Sequence, residues 1–194
     1  MKIFFLKKNI GRPDISTRSG FTIIETLVAI TILMISIAGP MTIAHKALIT
    51  ATNTKNTVVA SYLAQDAIEY IKNIKDHNIL LNPEQNNWLD GIFKCSSTSP
   101  CKVDTINNTT KTDDPDAYGI STCGSGTSCQ LYIGPDGYSH SSNGTKPSIF
   151  SRYFYITQNP INLDDQATLT VVVKWDNGYA ESVKYETQIF KVIE

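Results

Sequence analysis

Two hydrophobic periods divide the chain. From Thr26 to Ala44 no charged residue occurs over 19 positions, about the length of a helix that crosses a bilayer core. Leu27, Val28, Ile30, Ile32, Leu33, Met34, Ile35 and Ile37 make this run apolar all round. Its polar members, Thr26, Thr31 and Ser36, can return their hydroxyls to the helix backbone. Further on the pattern turns amphipathic. Val59, Ala60, Leu63, Ala67, Tyr70, Ile71 and Ile74 fall on one side of a helical wheel. Gln65, Glu69, Lys72 and Asp76 fall on the other. Ile68 lies on the polar side and Tyr62 at its edge, where they are candidates to touch neighbouring copies. No Gly or Pro interrupts Met41 to Asn82. The pattern predicts one helix from about Phe21 to about His77, a rod roughly 80 Å long. A domain of this size cannot cover such a rod, so the first half needs lipid or other subunits. Gly39-Pro40 removes an amide donor and predicts a kink or soft joint.

Beyond His77 the period falls from 3.6 to 2. "QLYIGPDGYSH" reads as a hairpin, with Leu131 to Ile133, a Gly-Pro-Asp-Gly turn, and Tyr138 onward. "IFSRYFYITQ" mixes β-branched and aromatic residues with polar ones. In "ATLTVVVKWD", Leu169, Val171, Val173 and Trp175 share one face; Thr170, Val172 and Lys174 share the other. After the Asp176-Asn177-Gly178 turn signal, Val183, Tyr185, Thr187 and Ile189 share a face of the next strand. These last three runs predict an antiparallel meander. Helix first and sheet second indicates an α+β class.

Charge changes the reading of the N-terminus. Up to Gly20 the chain has Lys2, Lys7, Lys8, Arg12 and Arg18 against Asp14, a balance of +4; 12 basic and 17 acidic residues, −5, remain beyond it. Basic residues ahead of an apolar run keep that flank in the cytoplasm. They are not spread over a folded face, so they give no nucleic-acid signal. A secretory signal peptide would place its small-residue cleavage site after the apolar stretch. Here the small residue, Gly20, stands before it, and cutting there leaves the apolar segment on the mature chain. Glu25 is the anomaly. A carboxylate in hydrocarbon costs about 2.5–3.5 kcal/mol or more, so it needs a partner or a different environment.

Cys95, Cys101, Cys123 and Cys129 lie in the loop-rich part. An even count outside the membrane favours disulfides, with three possible connectivities. The local pairs would close short loops, and cross pairs would tie the irregular segment together. Zinc fits less well, because neither cluster has C-x-x-C spacing. Asp113, Asp114 and Asp116 flank Pro115. They could offer oxygen ligands to Ca²⁺, but not at EF-hand spacing, and a solvated acidic loop is the simpler reading. His45, His77 and His140 lie in no motif with a nucleophile; His77 is expected at the helix end, where a cation suits the dipole. "CGSGTSC" lacks the lysine and the strand–helix context of a phosphate loop. Nothing makes a positive case for an enzyme or for a cofactor.

"SGFTIIETLVAITILMISIAG" resembles the class III leader and first helix of type IV prepilins and pseudopilins. The shared features are a basic leader ending in Gly20, then Phe21, then Glu25 as fifth residue of the processed chain. "SYLAQDAIEYIKNIKD", "WLDGI" and "VVVKWDNG" further resemble minor pilins of the type IV pilus modification (PilV-like) kind. The resemblance implies the type IV pilin fold, a long N-terminal helix on a small antiparallel sheet head. It divides the chain into a cleaved leader (1–20), a transmembrane and filament-core half-helix (21–49), an amphipathic half-helix (50–77), and a head (78–194) with a cysteine-containing loop-rich segment (91–130). It implies a structural subunit of a type IV pilus or related filament. A prepilin peptidase would cut between Gly20 and Phe21 and methylate the Phe21 amino group. Glu25 would pair with the amino terminus of an adjacent subunit. The major pilin, other minor pilins, an assembly platform and a motor ATPase are the implied partners. The bacterial inner membrane, with the head outside the cytoplasm, and then an extracellular filament are the implied locations. The alternatives are a minor pseudopilin of a type II secretion system and a membrane-tethered extracellular binding or adhesion domain.

Overall fold

The computed structural model describes residues 20–81, 87–106, 119–123, 129–142, 146–158, 165–176, 178 and 180–191. Its first element is helix α1, Ile23–Leu81. The helix outlasts the expected end at His77 by a turn, because no Gly or Pro stands between His77 and Pro83. His77 therefore lies short of the last turn, which holds no basic residue. The chain divides into two compact units between Ile49 and Thr50.

In the first unit every described residue is exposed. The helix runs through Gly39 and Pro40 without interruption. Hydroxyls satisfy backbone carbonyls locally: Thr26 donates to Ile23 O, Thr31 to Val28 O and Ser36 to Leu33 O, each at 2.8 Å. Thr42 donates to Gly39 O at 2.7 Å, beside the amide donor that Pro40 lacks.

The second unit buries one stripe of α1. Ala60, Leu63, Ala64, Ala67, Ile71 and Ile74 recur at helical spacing and are buried. The three alanines have no exposed surface, and such short side chains let a helix approach a sheet closely. Ile68 departs from its expected place. It is half-buried and packs against the core, whereas Tyr62 stays exposed.

Among the described residues the sheet has seven antiparallel strands: β1 Cys101–Val103, β2 Ile120–Thr122, β3 Gln130–Gly134, β4 Gly137–Ser139, β5 Lys146–Gln158, β6 Gln166–Asp176 and β7 Ala180–Phe190. Strands β5, β6 and β7 form the expected meander. Phe150 pairs with Trp175 and Gln158 with Ala167; Gln166 pairs with Phe190 and Asp176 with Ala180. The opposite edge of β5 is shared. β3 takes its beginning, with Gln130 opposite Ser151, and β1 takes Phe154 through Cys101. The β3–β4 hairpin turns where the sequence indicates, with Gly134 opposite Gly137. Gly178, at φ 89°, donates its N–H to Asp176 Oδ1 at 2.9 Å and shapes the β6–β7 turn.

Phe150, Phe154, Leu169, Val171, Val173, Trp175 and Ile189 face α1 and form the core. Each fully buried aliphatic or Phe side chain contributes roughly 1.5–3 kcal/mol. The segment expected to be least regular also contributes. Trp88, Leu89, Ile92 and Cys95 are buried. Asn78 Nδ2 donates to Trp88 O at 3.3 Å and Asp90 O at 2.9 Å, anchoring this turn to the helix. Disulfides join Cys95 to Cys101 and Cys123 to Cys129, the two local pairs among the three connectivities left open by sequence.

Candidate processing and assembly site

Gly20, Phe21 and Thr22 precede α1 and have no regular structure. All three are exposed, Phe21 at 78%. The Gly20–Phe21 peptide bond is thus outside the helical hydrogen-bond ladder and open to approach. A Cβ placed on Gly20 would meet nothing within 4 Å, so the fold itself does not require glycine there.

Thr22 is the helix N-cap. Its Oγ1 accepts the Glu25 N–H at 3.3 Å, and its carbonyl accepts the Thr26 N–H at 3.2 Å. Thr22 and Glu25 stand at the spacing of a capping box. That signal is local and visible in "TIIE". It gives Glu25 a local placement, in the first turn, where the helix dipole favours a carboxylate. Around it Ile23, Ile24, Leu27 and Val28 are all exposed. The helix holds a stretch with mean hydropathy of 2.2 and none of that stretch buried, long and apolar enough to cross a membrane.

Polar chemistry in the head is concentrated at Arg152. On the core face of β5, between Phe150 and Phe154, it is 1% exposed. It donates to Asp66 Oδ2 at 2.7 Å, to Leu63 O at 2.8 Å and to Val103 O at 3.0 Å. Asp66 Oδ2 also accepts from Thr105 at 2.7 Å. Arg152 thereby joins α1, β5 and the end of β1. His140 sits nearby. Its backbone N–H and Ser139 Oγ both donate to Asp104 Oδ2, at 3.2 and 2.9 Å. Its Nδ1 lies 3.1 Å from Gln130 O, which can only accept, so Nδ1 carries the proton. Burial, then the charges of Arg152 and Lys102, push the imidazole down to about 4 against the raising influence of Gln130 O and Asp104. His140 is therefore neutral near pH 7, and its Nε2 is buried without a hydrogen-bond partner. These groups hold the head together. Among the described residues no cluster of His, Cys, Asp or Glu is placed to hold a metal. Asp113, Asp114 and Asp116 lie outside the described residues.

Residues 15–39 match the prokaryotic N-terminal methylation motif. The match spans Arg18, Gly20, Phe21, Glu25 and the apolar turns up to Gly39. It supports a type IV pilin-like protein processed by a prepilin peptidase and assembled with other pilins. The long N-terminal helix with its antiparallel sheet is a type IV pilin-like arrangement. The motif points to a structural subunit, and with the apolar helix it points to membrane anchoring and a pilus. No curated protein and no solved structure matches the chain.

Proposed function

We propose that this chain is a minor pilin or pilin-like subunit of a type IV pilus or a related filament. The observation that carries the reading is the coincidence of the methylation motif with an apolar half-helix that has no cover within its own unit. Prepilin peptidase cuts between Gly20 and Phe21 and methylates Phe21. The chain waits in the bacterial inner membrane with its head outside the cytoplasm. On assembly, Glu25 pairs with the amino terminus of an adjacent subunit. Opposite charges attract strongly in a low-dielectric bundle, and either one left alone is costly. Gly39 and Pro40 give the helix a soft joint. The major pilin, the assembly platform and the motor ATPase are partners on this reading.

Mass spectrometry of the mature chain tests it. The expected N-terminus is methylated Phe21; an intact leader, or cleavage beyond Ala38, defeats the proposal. Gly20→Ala should block cleavage while leaving the head unchanged, since nothing in the fold crowds that position. Glu25→Leu should insert and be cleaved but fail to enter filaments; normal incorporation would refute the pairing.

A further inference from the structure

A groove lies at the β6–β7 turn end of the sheet, lined chiefly by residues of the face turned away from α1, with Gln130, Trp175 and Glu181 also lining it. Its volume is about 390 Å³, within the range of small-ligand sites. Strand register explains it. Ser151, Lys174 and Ser182 form one row across β5, β6 and β7. The two serines are short, so the row is a depression with a cation at its centre. Asp176 and Ala180 pair in the next row at the turn end, and Ile149 closes that side. In the row on the other side stands Tyr153, opposite Val172. Lys174 Nζ lies 5.2 Å above the Tyr153 ring centroid. Among the described residues no carboxylate reaches ion-pair distance of Lys174, whereas Lys184, one row further on, is paired with Glu186.

We infer that this groove binds an acidic sugar, one uronic-acid unit of an anionic polysaccharide. The Lys174 ammonium, stacked on an aromatic ring and lacking a carboxylate, meets the sugar carboxylate. Ser151 and Ser182 hydroxyls donate to or accept from ring hydroxyls, and Asp176 accepts from another. Ile149 and Ala180 meet the C–H surface of the ring. Other chemistries fit less well. A phosphate chain carries only acceptor oxygens and has no hydroxyl to donate to Asp176. A peptide strand docks through unpaired backbone groups at a sheet edge, whereas the floor of this groove, on β6, is paired on both sides.

The test uses the full-length protein in detergent micelles and tetragalacturonate as probe, with maltotetraose and tetrapolyphosphate as comparisons. Binding is read by calorimetry and by saturation-transfer NMR. Tetragalacturonate should bind, and maltotetraose at least about tenfold more weakly, the scale of one charge-assisted contact. Lys174→Ala should lose about tenfold, and Lys184→Ala, outside the groove, should lose nothing. Circular dichroism of both variants should match the parent. No binding at about 10 mM, well above ordinary site affinities, overturns the inference. So does equal binding of the neutral sugar, tighter binding of polyphosphate, or indifference to Lys174→Ala. These outcomes are independent of N-terminal processing and leave the pilin reading untouched.

Discussion

The two halves of α1 are one continuous helix under two different rules. Over residues 23–49 the helix is apolar on every side and buries none of it. Over residues 50–81 it buries a stripe, with Val59, Ile68, Tyr70 and Ile79 partly buried beside it. Apolar content therefore does not decide burial. Residues 23–49 are far more apolar, yet within their own unit nothing described covers them. Surface this apolar without cover in its own unit marks a membrane or protein partner. The later half works as an ordinary amphipathic helix, whose stability comes from packing rather than from propensity.

The strongest way to break this comparison is to remove what locks the second half to the sheet. Arg152→Ala leaves Asp66 without its cation and strips the Leu63 and Val103 carbonyls of a buried donor. Asp66 is half exposed, so the cost falls on the two buried carbonyls, about 1–3 kcal/mol each, and the head should lose about 3–5 kcal/mol. Chemical denaturation followed by tryptophan fluorescence reads this directly, because Trp88 and Trp175 both lie in the head core. A loss under about 1 kcal/mol would mean that the guanidinium is solvated and the pair is of the weak surface kind.

A matched pair of isoleucines sharpens the contrast further. Ile71 has no exposed surface, whereas Ile30 is 52% exposed. Ile71→Ala should destabilise the head by about 2–5 kcal/mol through lost transfer energy and a cavity. Ile30→Ala should stay within about 0.5 kcal/mol by the same measurement. Equal effects would show that the halves unfold as one unit.

How much of this was legible depended on periodicity. The meander and the hairpin could be read because long strands repeat the two-residue pattern several times between clear turn signals. β1 and β2 span three residues each, too short to show a period in a Ser- and Thr-rich stretch. The burial of Arg152 was not legible. Its recognition needs two carbonyls and a carboxylate from distant parts of the chain, and no local pattern reports that convergence. Ile68 was misplaced because a wheel drawn for one stripe does not report how wide a face of the helix the core covers. Disulfide pairing depends on distance, which spacing alone does not supply. At the N-terminus the reverse holds. Gly20, Phe21 and Glu25 stood out from sequence because their spacing is local, and the T-x-x-E cap was equally readable.

Acid separates the halves by a different route. From Thr26 to Ala44 there is no charged or titratable residue, whereas the head encloses His140, lowered from 6.5 to about 4. Above pH 6.5 the imidazole is neutral folded or unfolded and contributes no pH dependence. As pH falls below 6.5 the unfolded chain takes up a proton that the fold refuses. Stability should therefore decline between pH 6.5 and about 4, by up to about 3 kcal/mol at roughly 1.4 kcal/mol per pH unit. His140→Gln should flatten that decline in denaturation curves taken across the window. A decline equally steep in the variant would assign it to other groups.

The smallest effect belongs to the helix start. Thr22→Ala removes the oxygen that accepts the Glu25 N–H. In water such a cap is worth about 1 kcal/mol, since solvent replaces the lost acceptor. Within hydrocarbon no water is available, and an unsatisfied backbone donor costs several kcal/mol. Amide hydrogen exchange at Glu25 in micelles distinguishes the two settings. A first turn at the interface should exchange roughly fivefold faster in the variant, as about 1 kcal/mol implies. A first turn sunk in the apolar phase should instead fray outright, with loss of protection from Ile24 to Thr26. In neither case should the head's denaturation midpoint move. The packed half of α1 draws its stability from the sheet, and the uncovered half depends on whatever medium surrounds it.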